Sequence, residues 1–174
     1  PGAVSMCRRF RDAGYRTHGI GKIRDRRSGP HDDAWDEILH EEGISEVDEA
    51  VQMLRRAAAD DDGRPFCVAV GFAQPHCPWE PTQSSLDQYG SVNPEPFATG
   101  RTAPPDQLDC MGVDSTTMSD ADAADVTKRY LASVTDVDTM FGALYDTIDE
   151  LGLLDNTVVI FWSGDHGFSL GEND

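Results

Sequence analysis

Thr157-Val158-Val159-Ile160-Phe161-Trp162-Ser163-Gly164-Asp165-His166-Gly167 is the stretch that decides the fold. An apolar run from Thr157 to Trp162 stops abruptly at Ser163-Gly164, and Asp165 and His166 follow at once. A short β-branched and aromatic run bounded by turn residues predicts a buried strand. Its C-terminal end delivers two adjacent side chains that can ligate a divalent cation. In open α/β sheets, ligands bind outside that end of the strands.

The same pattern recurs upstream. Pro65 to Phe72 is a nearly continuous apolar run, as in a buried parallel strand, and the stiff loop Ala73-Gln74-Pro75-His76-Cys77-Pro78-Trp79 follows it. Tyr15 to Ile20 reads as a first strand, ending at Gly21-Lys22. Between these lie helical segments. Residues 3–13 place Val4, Cys7 and Phe10 on one face, with Gly14 as a stop. Ser45 and Asp48 form a weak capping box ahead of Val47, Ala50, Val51, Leu54 and Ala58. Ser119 to Leu151 predicts a long helix, with any break falling near Val126. Its seam is Tyr130, Val134, Val137, Phe141, Leu144, Ile148 and Leu151, a face suited to packing on a sheet. Residues 24–44 read as polar and irregular around Trp35-Asp36-Glu37, and residues 80–118 as a long loop. Strands alternating with helices give an α/β fold with a mostly parallel sheet flanked by helices.

Composition narrows the function. The chain has 174 residues, with 14 Lys+Arg against 32 Asp+Glu and a net charge of −18. Nucleic-acid binding is disfavoured, because phosphate contact needs clustered cations. The basic residues that do cluster, Arg8, Arg9, Arg11 and Arg16 among them, are expected to be solvated. No stretch reaches the roughly 20 apolar residues that span a bilayer. Four cysteines (Cys7, Cys67, Cys77 and Cys110) are widely spaced without a C-x-x-C, which disfavours a zinc knuckle and leaves a disulfide open. Cys67 is expected to pack as a small hydrophobe. The opening at Pro1 reads as the start of an internal piece.

Three strand ends thus deliver polar groups to one edge: Lys22, His76 and Asp165-His166. An ammonium can hold an oxyanion, and an imidazole in a stiff loop can move a proton. Taken singly, each has a plainer role. Asp165 could cap a turn, His166 and Lys22 could face water, and His76 could bond to backbone. Glu172 could orient the Asp165-His166 loop or face water, while Trp79 and Tyr89 could line a pocket but suit core packing better.

Four segments carry a family likeness. They are Phe10-Arg11-Asp12-Ala13-Gly14-Tyr15-Arg16-Thr17 through Gly21-Lys22, Asp32-Asp33-Ala34-Trp35-Asp36-Glu37, Pro65 to Pro78, and Arg129 to Glu172. Together they resemble the type I sulfatases of the alkaline-phosphatase superfamily, in the iduronate-2-sulfatase-like branch. That resemblance implies an incomplete alkaline-phosphatase-like core, with residues 1–174 forming part of a sulfatase catalytic domain. The implied activity is hydrolysis of sulfate esters, with sulfated sugars as the partner class. Asp165 and His166 would be two ligands of one Ca2+, Lys22 would contact the sulfate, and His76 would bind sulfate or protonate the leaving alcohol.

The family's nucleophile is a formylglycine made within a C/S-x-P-S-R motif. That motif is not among these residues and is expected outside them, as is a C-terminal part. The piece alone is therefore expected to be inactive and poorly stable. Gln74 stands where the family has lysine, and the histidine usually found after Gly-Lys is replaced by Ile23-Arg24-Asp25-Arg26. A phospho- or phosphonoester hydrolase of the same superfamily, and a non-catalytic relative that binds sulfated glycans, stay open as alternatives. By resemblance the compartment would be secreted, lysosomal or periplasmic.

Overall fold

The computed structural model describes residues 4–23, 32–39, 45–60, 62–90, 109–112, 119–164, 166–168 and 170. It divides into two compact units, one of Pro1–Ala73 with Met140–Val158, the other of Gln74–Thr139 with Val159–Asp174.

The first unit holds a three-stranded sheet. Strand β1 (Arg16–Gly21) lies between β2 (Glu37–Leu39) and β3 (Phe66–Gly71), and both pairings are parallel. The parallel α/β expectation therefore holds. Thr17 and Ile20 of the central strand are fully buried. Helix α1 (Met6–Asp12) starts where the Ser5 hydroxyl accepts the Arg8 N–H, and it stops at Gly14, whose φ of +91° favours glycine. Helix α2 (Glu46–Ala59) starts at Ser45, whose hydroxyl accepts the Asp48 N–H at 3.2 Å and donates to the Asp48 carboxylate at 2.7 Å. Its Ala50, Met53, Leu54 and Ala57 pack with Ile20 into one core, which Leu144 and Ile148 of the long helix α4 (Asp120–Glu150) complete. Helix α4 runs unbroken through Val126.

Residues 24–44 were expected to be irregular, yet β2 and a 3-10 turn at Asp32–Ala34 lie within them. A strand of three residues has too little alternation to show as a period. The arginines expected to be solvated are largely paired. Arg8 bonds Asp12 at 2.8 Å and Asp33 at 2.6 Å, Arg11 bonds Asp36 at 2.9 Å, and Arg16 bonds Asp60. The cause is Asp36. Its carboxylate accepts the Thr17 N–H at 3.0 Å, and its own N–H donates to the Thr17 hydroxyl at 2.9 Å, which brings the acidic stretch back over α1. That backbone donor, more than Arg11, holds the Asp36 carboxyl below the usual carboxylate range. His18 of β1 faces Glu37 of β2 at 3.2 Å. Cys67 is half-buried beside buried Cys7, and interaction with that thiol, together with burial, pushes the Cys67 thiol up.

The second unit packs around Trp79, which is 1% exposed, with Cys77, Val126 and Leu170. Helix α3 (Gln83–Gln88) begins at Thr82, and Asp136 of α4 holds that start. Its carboxylate accepts the Thr82 N–H, the Thr82 hydroxyl and the Ser85 hydroxyl at 2.9, 2.7 and 2.6 Å. Tyr89 lies half-buried, its hydroxyl 2.6 Å from that of Thr135. Val134, expected in the buried seam, is exposed; this half of α4 buries Ala123, Val126, Ala132 and Ser133 instead. Its neighbours here are aromatic loop residues, not a strand, so the buried face differs from the one a sheet would select.

The predicted final strand is the main correction. Thr157 to Trp162 forms no ladder among the described residues, and Val158 and Trp162 are 87% and 89% exposed. Apolar, β-branched composition favours a strand only where a neighbouring strand accepts and donates its backbone hydrogen bonds. Neither edge of the described sheet does so.

Candidate active site

Lys22 owes its position to two glycines. Gly21 and Gly71 are register partners at the ends of β1 and β3. The Lys22 N–H donates to the Gly71 carbonyl at 2.6 Å, prolonging the contact by one residue. Gly21 has a φ of +68°, and a Cβ there would overlap the Gly71 carbonyl oxygen. A Cβ on Gly71 would overlap the carbonyl of Lys22 itself. The two strand ends close to backbone contact only because both side chains are absent, and Lys22 emerges exposed.

In the second unit, His76 lies in the loop that follows β3. It is exposed, and its Nδ1 lies 2.7 Å from the Cys77 carbonyl oxygen. A carbonyl can only accept, so Nδ1 carries the proton and the neutral ring presents its lone pair on Nε2. The loop around it is held from below. Trp79 donates its indole N–H to the Pro75 carbonyl at 2.7 Å and its backbone N–H to the Met111 sulfur at 3.2 Å. Cys77 is buried and disulfide-bonded to Cys110, in the 3-10 turn Asp109–Met111.

His166 is exposed and repeats the arrangement, its Nδ1 2.9 Å from the Gly167 carbonyl oxygen. Phe168, two residues on, sets its ring edge-on to Trp79 at 4.9 Å, to Tyr130 at 5.8 Å and to His76 at 6.4 Å. The second unit therefore brings His76 and the 166–168 segment to one aromatic cluster. Asp165 and Glu172 lie outside the described residues. Among the described residues, no group of three or more His, Cys, Asp or Glu side chains is arranged to hold a metal ion. Lys22 belongs to the first unit, and His76 and His166 belong to the second. Core packing of Trp79 was expected and holds; the pairing of Cys77 with Cys110 was left open by the sequence, where the even cysteine count was its signal.

The sequence matches the sulfatase family over residues 2–174. The chain belongs to that family. An arylsulfatase of Clostridium perfringens is 30% identical to this sulfatase-family chain over 133 residues, covering 74% of the chain and 27% of the arylsulfatase. A choline-sulfatase of Rhizobium meliloti is 30% identical over 137 residues, covering 72% and 26% respectively. Human iduronate 2-sulfatase is 28% identical over 146 residues, covering 73% and 26%. The chain thus spans only 27% and 26% of the length of the first two relatives. A solved structure described under metabolism of multiple glycosaminoglycans by Bacteroides thetaiotaomicron superposes with a TM-score of 0.54 at 20% identity, over 84% of this chain and 38% of that one. This likeness shows a shared fold. No helix among the described residues is long and apolar enough to cross a membrane.

Proposed function

We propose that residues 1–174 form part of the catalytic domain of a sulfuric ester hydrolase whose substrates are sulfated sugars. Membership of the sulfatase family supports this. The observation that carries it is the convergence of His76 and the His166 segment on one aromatic cluster, each ring with Nδ1 tied to the carbonyl of the next residue. Arylsulfatase, choline-sulfatase and iduronate 2-sulfatase differ, by name, in the alcohol. What they share is the sulfate, so the roles assigned here are roles toward the sulfate.

Lys22 supplies a compact positive charge for a sulfate oxygen. His76, with Nδ1 held, takes up and gives its proton at Nε2, toward the oxygen of the departing alcohol. Asp165 and His166 help to hold one divalent cation, calcium by the family resemblance. A carboxylate oxygen and an imidazole Nε2 fit that task, and the carbonyl behind His166 Nδ1 is the usual support for a ligating histidine. When bound, the cation supplies Lewis acidity to the sulfate oxygens. A formylglycine nucleophile comes from outside residues 1–174.

The test is sulfate release by the full-length protein from sulfated saccharides, choline sulfate and 4-nitrophenyl sulfate. Replacing Lys22 by Ala should lower kcat/KM by about 10²–10³-fold. His76→Ala should lower kcat by about 10²–10⁴-fold on sugar esters. Turnover of phosphate esters with sulfate esters untouched, or binding of sulfated glycans without any turnover, would overturn the proposal.

A further inference from the structure

Residues 74–81, between β3 and α3, form no helix or strand, and side-chain contacts help to set the shape of the loop that bears His76. Two residues of that loop, Cys77 and Trp79, are buried, and both are held by the same short turn. Cys110 bonds Cys77 covalently, and the Met111 sulfur accepts the Trp79 backbone N–H. The exposed imidazole then takes its orientation from the carbonyl of the bridged cysteine itself. A disulfide restrains the Cα and Cβ separations of its two residues, so the backbone at Cys77 is anchored to the Cys110 turn and has less room to carry its carbonyl away from the ring.

We infer that the Cys77–Cys110 bridge is a positioning device for His76: it aims the Cys77 carbonyl at Nδ1, keeps the proton there, and presents Nε2 to the leaving alcohol. The inference rests on the reading of His76 as a site residue. Neither cysteine touches substrate, and both act through the imidazole. Breaking the bridge adds two electrons and two protons and gives two thiols. The Cys77 peptide is then free to turn, and Nδ1 loses its fixed acceptor. A displacement of about 1 Å at a reacting group can cost about 100-fold in rate.

Two measurements on the full-length protein test this. The first is the 15N signature of the His76 ring, bridged, reduced with a phosphine, and in the Cys77→Ser/Cys110→Ser variant. The neutral bridged ring should show the Nδ1–H form alone, and loss of the bridge should give a mixture of tautomers. Should the double variant not fold, reduction of the folded protein supplies the same comparison. The second measurement compares two esters. Loss of the bridge should lower kcat about 10–100-fold on a sugar sulfate, whose alkoxide needs a proton, and far less on 4-nitrophenyl sulfate, whose phenolate does not. In the His76→Ala background, reduction should change neither rate further.

An unchanged tautomer on reduction overturns the inference. So does an equal fall for both esters, which would mark a merely structural bridge, or a further fall in the His76→Ala background. If the intact protein hydrolyses no sulfate ester, the proposed function fails instead, and the tautomer comparison decides the positioning claim by itself.

Discussion

Two glycine-to-alanine substitutions should have opposite signs. Gly71 closes β3 against the Lys22 backbone, and an added Cβ would overlap the Lys22 carbonyl and approach the Ile23 nitrogen at 2.8 Å. The obstacle is backbone, so no side chain can swing aside. Overpacking of this kind costs about 1–3 kcal/mol. Separating the strand ends also weakens the Lys22 N–H to Gly71 carbonyl bond, for about 1 kcal/mol more. The stiffer unfolded chain returns about 0.4–1 kcal/mol. Gly71→Ala should therefore destabilise by about 1–3.6 kcal/mol on these terms. Gly142 lies inside α4 with nothing within 4 Å of an added Cβ, so Gly142→Ala should stabilise by about 0.5–1 kcal/mol. Urea unfolding of the full-length protein and both variants gives the comparison directly. A Gly71→Ala stability within 0.5 kcal/mol of the parent, on the scale of an ordinary surface change, would refute the close-approach argument.

Three further outcomes are expected. Burial, opposed only in part by Glu37, lowers the His18 pKa from 6.5, so the unfolded state takes up that proton first. The His18 contribution is thus fully present above pH 6.5 and lost as pH falls below it; a pH–stability profile of His18→Gln should lack that slope, and an identical slope in the variant would contradict it. Asp136→Ala leaves three donors at the start of α3 without their acceptor and should cost more than Thr82→Ala, itself about 1 kcal/mol by the usual value of a cap; equal losses in thermal unfolding would count against the shared-acceptor reading. His166→Ala should weaken retention of a divalent cation by the full-length protein at least tenfold in equilibrium dialysis, and unchanged retention would remove His166 from the ligand set.

What the sequence made legible was local. Ser45 with Asp48 marked the start of α2 because a hydroxyl three residues ahead of a free N–H is a chemical fact of the chain itself. Gly14 marked a helix end for the same reason, and it has a positive φ. What stayed hidden depends on partners far along the chain. Arg8 and Arg11 find Asp33 and Asp36 only after β1 and the turn at Asp32–Ala34 fold back on α1. The run Thr157 to Trp162 shows the converse. Its composition is that of a strand, yet a ladder is a property of two segments, and reading one of them cannot supply the other.

The candidate site divides in the same way. Lys22, His76 and His166 were singled out because each follows an apolar run and a break; the runs before Lys22 and His76 are strands of the sheet, and the run before His166 forms no ladder among the described residues. Which nitrogen of each histidine meets a substrate or a cation is decided elsewhere. In both rings Nδ1 is taken by the carbonyl of the following residue, Cys77 in one and Gly167 in the other. That geometry needs the next peptide to turn back toward the ring. At His76 the turn is backed by a disulfide, an indole and a thioether; at His166 it lies between Gly164 and Gly167, just ahead of Phe168 in sequence. Two unlike local sequences therefore arrive at one chemical outcome, an exposed ring whose Nδ1 is taken by the backbone. The residue type names a candidate, but the peptide behind it determines what that candidate can do.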